Sequence, residues 1–135
     1  MKERETIRVR DVMTQDFQMV DGLITVKEGI EIMREKKVLA LIVRKRHDND
    51  EYGLVLLSDI AKNVIAKNRS PARVSIYEIM AKPVVGVDPG MEIKYCARLF
   101  ERFGIARAPV IENDEIKGMV SYHAIVLEGL LVDSE

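Results

Sequence analysis

The sequence predicts an α/β fold of the α+β kind, in which one βαββα unit is written twice. Three observations lead there. Residues 53–60 read GLVLLSDI and residues 118–125 read GMVSYHAI, so the chain nearly repeats itself. With Met13 laid over Met80, Val20-Asp21 falls on Val87-Asp88, Lys27 on Lys94, and Val38 to Val43 on Ile105 to Val110, without a gap. Within each copy the apolar spacing switches from helical to strand-like runs, and self-similarity of this kind marks a duplicated supersecondary unit. The expected repeats are residues 8–67 and 74–131, with 68–73 as the linker.

Each repeat opens on a short apolar-acidic turn, Val9 to Met13 and Ile76 to Met80. A strand-like stretch follows, Phe17 to Val20 and Val84 to Val87. In the second repeat Asp88-Pro89 reads as a helix start, because an acid caps free amides and proline is tolerated at the first position. Ile93, Ala97 and Phe100 then recur at helical spacing, as do Val26, Ile30 and Met33 in the first repeat. Gly104 supplies the usual left-handed stop, whereas Lys37 occupies that place in the first repeat and signals a stop less clearly. Two β-rich runs come next, ALIVRK with GLVLL and APVIE with GMVS. The turn-forming HDND and END between them make each pair a hairpin. The closing helices are SDIAKNVIAK and YHAIVLEGLL. Sheets this small cannot cover both of their faces, so the repeats are expected to pack on each other.

Composition narrows the function classes. The 135 residues suffice for an ordinary hydrophobic core, since chains of this size bury roughly 70% of their unfolded surface. A formal charge of −1 carries no nucleic-acid footprint. One cysteine, Cys96, cannot form an internal disulfide and fits a reducing cytoplasm; its mid-helix place opposite Gly29 suggests an inert buried thiol. The opening MKERETIRVR lacks the apolar core of a signal peptide, and runs such as VLALIV are too short to span a bilayer. A cytoplasmic protein without membrane or nucleic-acid partners is therefore expected. No histidine, cysteine or acid stands at ligand spacing to His47 or His123, so no metal site is expected. No nucleophile–base pair is legible either, and an enzyme is not expected. The carboxylates of DNDE at 48–51 read as a solvated turn, and Met19, Met33, Met91 and Met119 as core.

RDVM and YEIM at the repeat starts, VDPGMEIKYCARLFERFGIARAPVIEND in the second repeat and the paired stretches at 53–60 and 118–125 resemble the cystathionine-β-synthase (CBS) domain pair, the Bateman module. The resemblance covers about residues 8–130; GIARAPV, a turn and GMVS are its more specific part, and VLALIV in the first repeat matches more loosely. It implies two βαββα units joined pseudo-symmetrically through their sheets and pairing of such modules into dimers. It also implies regulatory, non-catalytic binding of AMP, ADP, ATP or sometimes S-adenosylmethionine in clefts between the repeats.

The family's ligand motif is a glycine, two apolar residues, Ser or Thr, two variable residues and Asp. A carboxylate there accepts hydrogen bonds from both ribose hydroxyls, and a hydroxyl beside free helix amides suits a phosphate. Gly53-Leu-Val-Leu56-Leu-Ser-Asp59 keeps the acid and lacks the hydroxyl; Gly118-Met-Val-Ser121-Tyr-His-Ala124 does the opposite. Each residue also has a plain structural role open to it. Asp59, or its neighbour Ser58, fits a first-turn or N-cap role as well as ribose binding. Ser121 fits an N-cap as well as a phosphate contact. Arg107 falls where the family often places a phosphate-facing base, but an exposed strand arginine fits too, and the first repeat has Ala40 there. His123 opens a helix and either caps it or approaches a ligand.

The expected function is thus a stand-alone regulatory module that binds an adenosine-containing ligand, with no covalent cofactor, and signals to an effector protein that the sequence does not name. The alternative is a ligand-free homodimerisation module with decayed clefts. A homodimer is expected either way, because Ile30, Ile32, Met33, Leu99, Phe100 and Phe103 exceed what one sheet face needs.

Overall fold

The structure is a computed structural model and describes residues 6–130; residue 131, the expected end of the second repeat, lies outside the described residues. In chain order the elements are α1 (Val9–Val12), β1 (Gln18–Val20), α2 (Val26–Lys36), β2 (Ala40–Val43), β3 (Gly53–Leu56) and α3 (Leu57–Ile60). After short 3-10 turns at Pro71–Arg73 and Ile76–Glu78 come α4 (Ile93–Phe103), β4 (Arg107–Glu112), β5 (Glu115–Ser121) and α5 (Tyr122–Ala124). Both closing helices continue as π-helical segments, Ala61–Ile65 after α3 and Ile125–Gly129 after α5. The fold is α+β. Two compact units divide the described residues: Asp16–Val84 forms the first, and residues 6–15 join residues 85–130 in the second.

The first unit follows the expected βαββα order. Its sheet runs β1-β2-β3, with β1 parallel to β2 and β2 antiparallel to β3. All four residues of the central strand β2 are buried, as expected for an unbroken apolar run. Helix α2 begins on a reciprocal cap: Thr25 Oγ1 accepts the Glu28 N–H at 3.1 Å, and Glu28 Oε1 accepts the Thr25 N–H at 3.0 Å. That backbone hydrogen bond from Thr25 is the main cause holding the Glu28 carboxyl below its usual range. Lys37 ends the helix in the left-handed conformation (φ 57°), the turn that Gly104 (φ 66°) makes after α4. Of the apolar positions spaced along α2, Val26 and Met33 enter the core with Leu41, Val55 and Ile76, while Ile30 stays exposed.

In the second unit β4 and β5 form an antiparallel hairpin, closed by Asn113 and Asp114, both at positive φ. Two such residues make the tight turn whose twist suits adjoining strands. Phe100 and Cys96 of α4 are fully buried with Val9, Val110 and Val120. Two expectations fail here. Val84 to Val87 is not a strand, and only an isolated parallel bridge from Val87 to Val110 remains. Pro83 has no N–H to donate and Gly86 packs no side chain, so little holds a ladder together. The helix also starts later than Asp88-Pro89, at Ile93, because Asp88 Oδ1 instead accepts the Gly90 N–H at 2.7 Å and closes a local turn.

The compact units cut across the sequence repeats. The opening turn of the first repeat packs in the second unit, where Val9 and Val12 are core residues and Thr14 exchanges 2.8 Å backbone hydrogen bonds with Met119. The opening turn of the second repeat packs in the first unit, where Ile76 N–H meets Ile24 O at 2.8 Å and Ala81 pairs with Leu54. The motif glycines explain themselves in this exchange. A Cβ on Gly53 would stand 2.5 Å from Met80 Sδ, and one on Gly118 would stand 2.8 Å from Thr14 O and 3.2 Å from Met13 Sδ. Each glycine admits the opening turn that begins the other repeat.

Candidate functional site

The two motif copies sit at matching strand-to-helix junctions, β3 to α3 and β5 to α5. At the first, the half-buried Asp59 accepts the Leu56 N–H at 2.8 Å through Oδ2. At the second, Ser121 is the N-cap and its Oγ accepts the Ala124 N–H at 3.1 Å. These are the two halves of one capping box, in which the N-cap hydroxyl and the acid three residues on each satisfy the other's amide. The first unit keeps the acid half and the second keeps the hydroxyl half. Both residues therefore have a structural task, and the trade seen in the sequence is a divided cap. Oδ1 of Asp59 takes no hydrogen bond from a described residue.

The other site residues fall around these junctions. Ser58 is exposed in the first turn of α3, and His123 is exposed in α5. Arg107 opens β4 directly opposite Ser121 in the hairpin register, so these two residues share one end of the hairpin. The matching pair in the first unit is Ala40 opposite Leu56, both apolar. Guanidinium and hydroxyl groups are thus brought together in the second unit, while the motif carboxylate stands in the first.

Other chemistry is placed where the sequence did not show it. A cavity of about 600 Å³ opens on the first unit beside the β2–β3 hairpin tip. The expected solvated turn DNDE is only partly that. Asp50 reaches Lys82 Nζ at 2.6 Å, and its side chain is only 10% exposed. The Lys82 contact, with the Arg46 N–H behind it, holds the Asp50 carboxyl far below the usual range. Cys96 is fully buried, and burial pushes its thiol up to about 11. Among the described residues, no group of three or more His, Cys, Asp or Glu is placed to hold a metal ion. No described helix is long and apolar enough to cross a membrane.

Comparison with known proteins agrees with this architecture. The CBS domain family matches residues 9–66 and again 76–129. The hexameric CBS-CP12 protein from bloom-forming cyanobacteria is 39% identical, with a TM-score of 0.88 over 93% of this chain and 73% of that one. Protein MK0525 of Methanopyrus kandleri is 26% identical over 122 residues, which are 90% of this chain but only 62% of the relative's length. The CBS domain pair of protein MJ0100 shares the fold at 20% identity, with a TM-score of 0.79 over 97% of this chain and all 100% of that one. With two matched copies, and with the βαββα order complete in the first unit, this chain belongs to the CBS domain family as a tandem pair.

Proposed function

We propose that this CBS pair is a regulatory module that binds an adenosine-containing ligand and passes the bound state to an effector protein in the cytoplasm. The observation that carries the reading is the Asp59 carboxylate, held at a strand–helix junction by one oxygen while the other meets no described donor. A carboxylate so fixed is preorganised to accept a ribose hydroxyl. Arg107 and Ser121 supply donors suited to phosphate, and Ser58 and His123 are the further contacts at the same junctions. The MJ0100 pair was solved in complex with 5′-methylthioadenosine and S-adenosyl-L-methionine, which supports the ligand class. AMP, ADP, ATP and S-adenosylmethionine are the candidates, and the module itself performs no catalysis. A thermal-shift panel with these four tests the proposal. A true ligand at one hundred times its dissociation constant raises stability by about 2.7 kcal/mol; no shift with any of them would remove the reading.

A second reading has its own support. Both motif side chains already serve as helix caps, and Leu56 and Ala124 replace the missing partners. A ligand-free dimerisation module would keep those caps for folding alone.

We also propose a homodimer under either reading. Met33 and Phe100 are spent on the cores, contrary to the sequence expectation of spare surface. Exposed apolar residues remain elsewhere: Ile30 and Phe103 on the long helices, and Ile65, Leu127 and Leu130 toward the closing ends. An association surface would cover exposed apolar side chains such as these. Sedimentation is expected to show an assembly of the 15.4 kDa chain, and a monomer at micromolar concentration would contradict it.

A further inference from the structure

Strand β2 ends at Val43 and is followed at once by Arg44, Lys45 and Arg46. All three line the cavity beside the hairpin tip, and Lys82, far along the chain, joins them there. The cavity's volume of about 600 Å³ falls within the roughly 300–1,000 Å³ usual for small-molecule sites. Its walls also include Leu23 and Tyr77, which are 74% and 52% exposed. An exposed aromatic ring beside clustered cations offers a surface for an organic moiety next to a seat for an anion.

Two of the basic residues, Arg46 and Lys82, are tied to one carboxylate. Asp50 ties the hairpin tip to Lys82 at 2.6 Å, accepts the Arg46 N–H at 2.9 Å, and lies 3.8 Å from Arg46 Nε. Of the two carboxylates in the wall, Asp21 is engaged with its own loop, its Oδ1 accepting the Leu23 N–H at 2.8 Å. Glu51 is the acid that opposes an incoming anion. Counting Asp50 as well, the cations still outnumber the acids, and forked or pointed N–H donors suit phosphate oxygens.

We propose that this cavity binds a small phosphate ester, its phosphate against Arg44, Lys45 and Lys82 and its organic part against Leu23 and Tyr77. The site is distinct from the adenosine site. Strand β3 runs from Gly53 in the cavity wall to Leu56, so Asp59 stands at the opposite end of that strand, about 10 Å away or more. A second small molecule would then act on the hairpin tip of the same unit whose other end carries Asp59.

Titration of the full chain with phenyl phosphate and with inorganic phosphate, followed by backbone amide NMR, tests this. Saturable shifts are expected at residues 44–46, Tyr77 and Lys82, with phenyl phosphate binding more tightly than inorganic phosphate. Arg44→Ala, at an exposed side chain, should weaken binding about two- to fivefold, as for solvent-exposed ion pairs. Glu51→Gln should strengthen it about twofold. Asp59→Asn should leave it unchanged, which separates this site's failure from failure of the adenosine reading. Absence of saturable shifts at these residues, or affinity unaltered by both Arg44→Ala and Glu51→Gln, would overturn the proposal.

Discussion

Replacing Asp59 by asparagine is expected to lower affinity for an adenine nucleotide about tenfold to a hundredfold, with the unliganded melting temperature nearly unchanged. The separation of the two effects follows from the geometry. Asparagine keeps a carbonyl oxygen that can accept the Leu56 N–H now bound at 2.8 Å, so the cap survives. What the cap loses is charge near a helix N-terminus, about 0.3–1 kcal/mol. A ribose hydroxyl would lose a charged acceptor, and hydrogen bonds to charged groups contribute roughly 1.5–3 kcal/mol. If Asp59 serves only the cap, the pattern reverses: affinity holds within about twofold, or about 0.4 kcal/mol, and any change appears in the unliganded melt. Both quantities come from one variant, by calorimetric titration and thermal denaturation.

A chain lacking residues 1–14 is expected to lose the second unit, not the first. Val9 and Val12 belong to the second unit's core at 0% and 4% exposure. Fully burying a valine contributes roughly 1.5–3 kcal/mol, so the pair accounts for about 3–6 kcal/mol. The hydrogen bonds of Thr14 with Met119 and of Val9 N–H with Met91 O go as well. Against a domain stability of about 5–15 kcal/mol, that loss leaves the second unit close to unfolding. Hydrogen exchange would show it as lost protection in β4 and β5 with β2 and β3 still protected. If each repeat folded with its own opening turn, protection would vanish from the first unit instead. Gly118→Ala is the point version, since its Cβ meets the Thr14 backbone oxygen, and overpacking of this kind costs about 1–3 kcal/mol. Gly53→Ala should cost less, because the Met80 side chain it meets is flexible.

How much of this was legible depends on the range of the interaction involved. The βαββα order could be read because apolar spacing is local, and the left-handed stop at Gly104 is written in a single residue. Lys37 makes the same turn against its own preference, which no local signal announces. The strand expected at Val84 to Val87 was apolar enough, but Pro83 and Gly86 outweighed that pattern. Asp88 has the chemistry of a cap, but its carboxylate closes a turn at Gly90, so the helix starts later than the sequence pattern predicts. The exchange of opening turns was invisible, since a short apolar turn does not specify which sheet it will meet. Asp50 was hidden for a similar reason: its partner Lys82 lies 32 residues on, from 50 to 82, and without it the tip reads as solvated. At the candidate site the residue types were all legible, but the divided capping box became visible only once Leu56 and Ala124 were seen to donate.

Calorimetric titration of the intact chain with AMP, ADP, ATP and S-adenosylmethionine tests the central claim most directly. Since the motif acid is present in the first unit as Asp59 and replaced in the second by Ala124, the account predicts saturable binding of at least one of the four at about one ligand per chain. Two equal ligands per chain would show that Asp59 is not the discriminating residue, and no heat from any of the four would contradict adenosine binding altogether.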